Sequence, residues 1–332
     1  MLGAARARLG YLNPPALPLL LDLLAEVFPG DAPTGAAFKE QVLLDPCFCP
    51  EDLLLAWAGG ELIGFCQSAI EVVGGGNKGW IVAIGVRAGY RRQGLGRLLL
   101  DHAVEQLEAA GCQEVAVGGY EERYLFPGVD PERYPSAPGL FHRAGFEIQG
   151  TAIAMGRAIT PAECTGDGDD FGCEHPGDGD LPELLALAHR IRPSWARLLR
   201  SYFSRSSDHS RVWVARREAI AGFAASDIFV DQPGRFGPVG VVAEHRGAGV
   251  GGRLLRASLA SMASRGDTRA WFLWAPEDEA GRRMYVSAGF LRERRFDLYR
   301  RRPALSLTTS GADPTLARQA RWGGNDSGSS IS

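Results

Sequence analysis

The stretch GYRRQGLGRLLL at residues 89–100 is echoed by EHRGAGVGGRLL at residues 244–255. At one constant offset Arg91 falls on Arg246, Gly94 on Gly249 and Gly96 on Gly251. The flanks keep step. ELIGF (61–65) matches EAIAGF (218–223), each read as strand, turn, strand, and an apolar strand precedes each glycine device, WIVAIGV (80–86) and PVGVV (238–242). A helix-period run follows each device, then a strand, EVAV (114–117) or AWFLW (270–274), and each half closes on LFHRAGF (140–146) or MYVSAGF (284–290). A repeat that preserves this order requires two copies of one mixed α/β unit. The chain's 332 residues suit two domains of roughly 150 residues. The first copy is the longer, and its excess lies in the insertion YEERYLFPGVDPERYPSAP.

Domain limits follow from composition. Residues 1–160 form the N-terminal unit and residues 181–302 the C-terminal unit. Between them ECTGDGDDFGCEHPGDGD has almost nothing to bury, so 161–180 is expected to be an acidic, flexible linker. The polar, aperiodic residues 303–332 are expected to be disordered. Leu19, Leu20, Leu23 and Leu24 are expected on one face of an amphipathic first helix. No apolar run approaches a membrane span, and a formal charge of -3 with interspersed acids and bases argues against nucleic acid as partner. The six scattered cysteines suit reduced thiols in a cytoplasmic protein, and the Cys47-x-Cys49 pair and the histidines lack zinc-ligand spacing, so no metal is expected.

A strand that feeds a glycine turn opening a helix aims backbone N–H groups and the positive end of the helix dipole at one spot, which makes an anion site. Glycine at 94 and 96 removes Cβ atoms that would hold a phosphate away, and Arg92 and Arg97 add charge at the rim. Leu99 and Leu254 stand where a dinucleotide fingerprint needs its third glycine, and no G-K-[ST] ending makes a P-loop.

The hexapeptides Arg91-Arg92-Gln93-Gly94-Leu95-Gly96 and Arg246-Gly247-Ala248-Gly249-Val250-Gly251 satisfy [QR]-x-x-G-x-[GA]. With the preceding strand and the closing aromatic-x-x-x-G-F, each half resembles the GNAT superfamily of acetyl-CoA-dependent N-acetyltransferases. The resemblance covers roughly residues 5–158 and 174–301. It implies two tandem GNAT-type domains, each a twisted, mostly antiparallel mixed sheet with splayed central strands flanked by helices. It implies acetyl-CoA as co-substrate, with pantetheine beside Val86 or Val241 and pyrophosphate on the amides of residues 92–97 or 247–252, which take in Arg97 and Gly252. The expected reaction is acetyl transfer to the primary amine of a small molecule such as an amino sugar, amino acid or polyamine. The alternatives are a protein N-terminal or lysine acetyltransferase, or an acetyl-CoA-binding protein with one or both halves silent. Oligomeric state is not encoded in any feature of the sequence.

The thioester oxygen needs a donor, and the N–H beside Val86 or Val241 is the candidate. The family often carries a phenol four places before the closing glycine that protonates the departing sulfur. Tyr285 occupies that place in the second copy, where it serves either as the acid or as packing, and Phe141 occupies it in the first. The first copy either borrows Tyr120, Tyr124 or Tyr134 from its insertion or has lost catalysis. A glutamate frequent in some members would fall at Leu273. The base is unassigned: Glu244, Asp227, Glu277 and Asp278 are reachable on topology alone and better suit surface roles, while His245 lies too near the pyrophosphate turn. The insertion reads as a rigid aromatic loop that either borders the first acceptor cleft or packs on the second domain.

Overall fold

The structure is a computed structural model that describes residues 7–73, 76–120, 125–160, 172–276 and 280–302. The first half opens with strand β1 (Arg8–Tyr11), helix α1 (Ala16–Val27) and the short α2 (Gly35–Phe38). Three strands follow, β2 (Leu53–Ala58), β3 (Glu61–Val73) and β4 (Gly76–Val86). Then come α3 (Leu95–Ala109), β5 (Cys112–Val117), α4 (Ala137–Arg143) and β6 (Glu147–Ala158). The second half repeats the scheme with β7 (Gly172–Glu174), α5 (Leu181–Ile191), α6 (Pro193–Arg205), β8 (Val212–Arg216), β9 (Ile220–Ser226) and β10 (Phe236–Val241). It ends with α7 (Val250–Ser264), β11 (Arg269–Pro276), α8 (Ala280–Ser287) and β12 (Leu291–Arg301).

The repeat holds residue by residue where the helices meet the sheet. Helix α3 buries Leu95, Leu99, Leu100, Ala103, Val104 and Leu107, and α7 buries Val250, Leu254, Leu255, Ser258, Leu259 and Met262, the same six positions at the same offset. This spacing gives one apolar stripe on each helix. In β2, Leu54 and Ala56 face α3 while Leu53 and Leu55 face α1, so the strand is buried on both sides and reads as a continuous apolar run. Helix α1 buries Ala16, Leu20, Leu23, Leu24 and Val27, whereas Leu19 is exposed, a correction to the expected stripe. Its buried face is centred between Leu20 and Leu24, which turns Leu19 toward water.

Two sheets form, but they do not divide one to each half. Eight strands run β1-β2-β3-β4-β5-β12-β6-β11, and four run β10-β9-β8-β7. The last strand of the second half, β12, lies between β5 and β6 of the first. It is antiparallel to β5 at Tyr299–Val117 and to β6 from Leu291–Gly156 to Arg300–Glu147. In return β6 pairs with β11 of the second half, from Arg269–Ala158 to Pro276–Ala152. The halves have exchanged their closing strands. Ile153, Met155 and Ile159 of the first half therefore sit in the core under α7, and Tyr299 of the second half sits in the core under α3.

A buried ionic cluster pins this exchange. Arg294 of β12 donates both Nη groups to Asp31 (2.8 and 2.9 Å) and its Nε to Asp130 (2.8 Å). Arg133 and Tyr134 complete the site by donating to Asp31 (3.0 and 2.8 Å). Of the two placements open to the insertion, packing is what its described residues display. Val129 bridges Asp297 of β12, Phe126 and Tyr134 pack on Phe28, and Asp130 holds Arg294.

The expected linker is ordered in its second part. Gly172–Glu174 is a strand on β8, His209 Nδ1 meets the Pro176 carbonyl (2.7 Å), and Asp180 accepts from Arg216 (2.5 Å). Glu174 and Asp180 both pair with Arg216, which a composition argument does not foresee. Residues 161–171 and the tail 303–332 lie outside the described residues.

Arg294→Ala leaves the buried Asp130 without its cation and Asp31 with Arg133 alone, a loss of about 3–5 kcal/mol. We expect a lower Tm in a single transition that takes down both halves, read by circular dichroism and by tryptophan fluorescence. A first transition confined to one half would contradict the exchange.

Candidate active site

The two glycine turns share one backbone. Gly94 (φ +86°) and Gly249 (φ +78°) are left-handed and stand immediately before α3 and α7. Two places earlier the chain is left-handed again, at Arg92 (φ +63°) and Gly247 (φ +83°). Paired left-handed residues curl successive amides inward, and the first helical turn adds N–H groups that have no intrahelical partner. Arg92 accepts this conformation at a cost of about 1–2 kcal/mol that Gly247 does not incur. The alignment of Arg92 with Gly247 was the available signal for it.

The motif arginines have a different job from the rim. Arg91 Nε donates to the carbonyl of Val86 (2.8 Å), and Arg246 Nε donates to that of Val241 (3.2 Å), so each ties the turn to the end of its strand. Gln93 Nε2 donates to Gly89 (3.0 Å) inside the loop. Arg97 is held by Asp101 (2.6 Å) and the carbonyl of Arg143 (2.6 Å), which docks α3 on the end of α4. Leu95 and Val250 are buried anchors, and Ala248 and Gly252 lie in the turn and first helical turn. His245 and Glu244 lie beside the second turn.

Beyond the turns the central strands part. The parallel ladder of β4 with β5 ends at Ile81–Val117, and β10 touches β11 at one bridge, Arg235–Trp271. The N–H of Arg87 points to β3, where it meets the carbonyl of Ile63 (2.9 Å), and Gly85 pairs with Phe65. Strand alternation then turns the main-chain groups of Ile84 and Val86 to the β5 side. In the second half the N–H of Val242 meets Ala221 (2.9 Å), which turns Val239 and Val241 toward β11. Ile84 and Val239, one pleat deeper than Val86 and Val241, were not singled out in the sequence. The two-residue period would have found them.

Against the second splay lies a cavity of about 340 Å³. Phe236 and Val239 of β10, Phe272 and Trp274 of β11, and Tyr285 of α8 form its inner wall. The missing side chain at Gly240 lets Trp195 approach within 2.9 Å of where a Cβ would lie, which brings the start of α6 over the opening. The first half contributes Glu40, Gln41, Gly119 and Tyr120 to the rim.

Tyr285 packs its ring on Phe272 (4.5 Å between centroids), and burial pushes its phenol above the usual value. Phe141, its counterpart, is buried against Phe146 and against Tyr299 of the exchanged strand (5.4 Å). Tyr120 donates to Asp45 (2.7 Å) and Tyr134 to Asp31, while Tyr124, Glu277 and Asp278 lie outside the described residues. Asp227 is held by Arg211 (3.0 Å) and Arg265 (2.8 Å) and does not line the cavity. Leu273 does line it.

Among the described residues no group of three or more potential ligands could hold a metal ion, and no helix is long and apolar enough to cross a membrane. None of the described cysteines forms a disulfide.

Comparison with known proteins agrees with this geometry. The acetyltransferase (GNAT) family matches residues 17–123, and a GNAT acetyltransferase domain matches residues 208–292. No curated protein sequence matches. Among solved structures, one similar fold belongs to a fungal multi-domain GH3 beta-N-acetylglucosaminidase with a GCN5-related glucosamine N-acetyltransferase region. Its TM-score is 0.73 at 18% identity, over 89% of this chain and 38% of that one, so this chain spans well under half of the fungal protein. A tandem GNAT protein from the clavulanic acid biosynthesis pathway has a TM-score of 0.67 at 18% identity, over 90% of this chain and 99% of its own. A GCN5-related N-acetyltransferase from Sphaerobacter thermophilus has a TM-score of 0.65 at 16% identity, over 92% and 99%. The two family matches together span more than half of the chain, and each contains one of the left-handed glycine turns, so the chain belongs to the acetyltransferase (GNAT) family in tandem form.

Proposed function

We propose that this N-acetyltransferase acetylates the primary amine of a small molecule in the cleft of its second half. The observation that carries the reading is the cavity against the open edge of β10, with a protonated phenol in its wall. The main chain fits acetyl-CoA, which supplies the acetyl thioester. The turn from Arg246 to Gly252 offers amides to a pyrophosphate, and Val241 offers strand hydrogen bonds to pantetheine. The N–H of Val239, deeper in the splay, is the donor for the thioester oxygen as charge gathers there. In the first half the turn from Arg91 to Arg97, with Val86 and Ile84, has the same form.

Holding amine and thioester in one cleft makes the transfer effectively unimolecular. Tyr285 supports the proton side of the reaction. The phenol is protonated at neutral pH and lines the cavity, where it can donate to the departing sulfur; burial raises its pKa and makes it a weaker acid, which suits a modest contribution. Glu40 is the one carboxylate among the described lining residues. It already accepts from Ser201 (2.8 Å) and Arg205 (2.8 Å), which suits it to holding α6 in place.

A second reading, turnover in the first half as well, is favoured by one observation. Tyr299 brings a phenol from the exchanged strand against Phe141, and its hydroxyl is buried with no hydrogen-bond partner among the described residues. If the first half turns over, Tyr299→Phe in a Tyr285→Phe background removes the residual activity.

Titration calorimetry with CoA should return two sites per chain. Gly249→Asp should abolish one and Gly94→Asp the other, because each sets a carboxylate against the pyrophosphate.

Tyr285→Phe should lower kcat by about 100-fold with little change in CoA affinity, the low end for a general acid because a thiolate leaves fairly well unprotonated. Since the folded pKa lies above the ordinary phenol value of 10.0, the wild-type rate should show no loss of the acid up to about pH 10. A descending limb centred near pH 8 would assign the acid to another group.

A further inference from the structure

The two clefts correspond place by place. The parallel ladder of the first half pairs Trp80 with Ala116, and the bridge of the second pairs Arg235 with Trp271, both at the offset that relates Gly94 to Gly249. Pro238, Leu273 and Trp274, which line the second cavity, therefore fall on Ala83, Gly118 and Gly119 of the first half. There the insertion covers all three. Leu125 is buried in one cluster with Ala83, Phe65 and Phe28. The carbonyl of Pro127 accepts from the N–H of Gly119 (2.8 Å). Gly118 (φ +81°) lets the loop pass so closely that a Cβ at that place would lie 2.5 Å from the Cα of Gly128 and 2.6 Å from the Pro127 carbonyl oxygen, an approach open only to glycine. Val129 then exchanges main-chain bonds with Asp297 (3.0 and 2.8 Å), the ladder position on β12 that β5 would reach two residues beyond Val117.

The cover is tied down at both ends. Asp130 accepts from Arg294, Tyr134 donates to Asp31, and Phe126 and Tyr134 pack on Phe28 (4.4 and 5.5 Å between centroids). At the other end a Cβ on Gly119 would stand 3.3 Å from the indole of Trp274, which is itself in the wall of the second cavity. Lifting the insertion would break the ladder with β12, the ionic cluster and the wall of the other cleft together.

We infer that the first half is a CoA-binding site that does not transfer: its own residues 125–129 fill the place that the acceptor takes in the second. This rests on the CoA reading of the glycine turns. The turn from Arg91 to Arg97 keeps the form of its counterpart, so the anion site is retained while the acceptor's place is lost. A thioester held there meets no amine, and the proximity that makes transfer effectively unimolecular is absent. The inference excludes turnover in the first half, and Tyr299 then serves the core beside Phe141.

Gly249→Asp, made in the full chain, removes the second pyrophosphate site and leaves the first. By titration calorimetry this variant should bind one CoA, or one acetyl-CoA, per chain. With any amine that the wild-type chain acetylates, from a panel of amino sugars, amino acids and polyamines, it should consume no acetyl-CoA above the protein-free rate, and the bound thioester should be recovered intact. Transfer by the variant, or no binding of CoA to it, overturns the inference. Hydrogen exchange on the wild-type chain needs neither the substitution nor activity. The amides of Gly119 and Val129, bonded to Pro127 and Asp297, should exchange as slowly as the amides that pair β12 with β6, with CoA and without it. Fast exchange at those two amides, or exchange that rises when CoA binds, shows a cover that opens and overturns the inference. If the wild-type chain binds CoA but acetylates no amine of the panel, the enzyme reading falls, and CoA stoichiometry and hydrogen exchange still decide this one.

Discussion

The ladder β5-β12-β6-β11, in which each half's last strand lies beside the other half's central strand, is the constraint on which the rest of the molecule depends. Arg294 locks the arrangement where β12 passes the insertion, by spanning Asp31 near α1 and Asp130 in the loop. An arginine so placed is stabilising only with both carboxylates present, since a buried charge without its partner is costly. Each core therefore contains a residue from the other half of the chain, Tyr299 in one and Met155 in the other.

The splay is the complement of this ladder. The exchanged strands hold β5 and β11 on one side, while on the other β4 and β10, each bulged, pair with β3 and β9. Between them a row of main-chain groups faces no strand. Arg91 and Arg246 close the upper end of each gap by gripping the carbonyls of Val86 and Val241, and this sets the glycine turn at the end of the strand instead of beside it. The amides that meet an anion and those that line the gap are thus positioned by one residue in each half.

The duplicated frame has been used unequally. In the second half a phenol stands on α8 and Met155 packs from the exchanged strand, whereas in the first half Phe141 stands on α4 and Tyr299 arrives from the exchanged strand. The rim of the second cleft draws Glu40 and Tyr120 from the first half, so the first half shapes the second site whatever its own chemistry. The insertion after β5 is what makes the halves differ most, and it is committed to β12 through Val129 and Asp130.

The repeat, the strand before each turn, the glycine turns and the helix after each were all legible in the sequence, because each depends on residues within a few positions of one another. Gly94 and Gly249 could be recognised by their matching place between strand and helix in both copies, and Leu95 to Leu107 by their helical period. The order inside 172–180 was not legible, because Glu174 and Asp180 are paired with Arg216, a residue from another strand. Nor was Trp195, whose importance arises only when α6 crosses the gap at Gly240. The exchange of β6 and β12 was beyond reach for the deepest reason. Backbone hydrogen bonds are the same whichever strand makes them, and alternation of side chains names the face of a strand but not its neighbour. Local sequence determined what each segment would become. The tertiary structure alone decided which segments would pair, because that choice rests on packing and ion pairs between residues more than a hundred positions apart, such as Arg294 with Asp31.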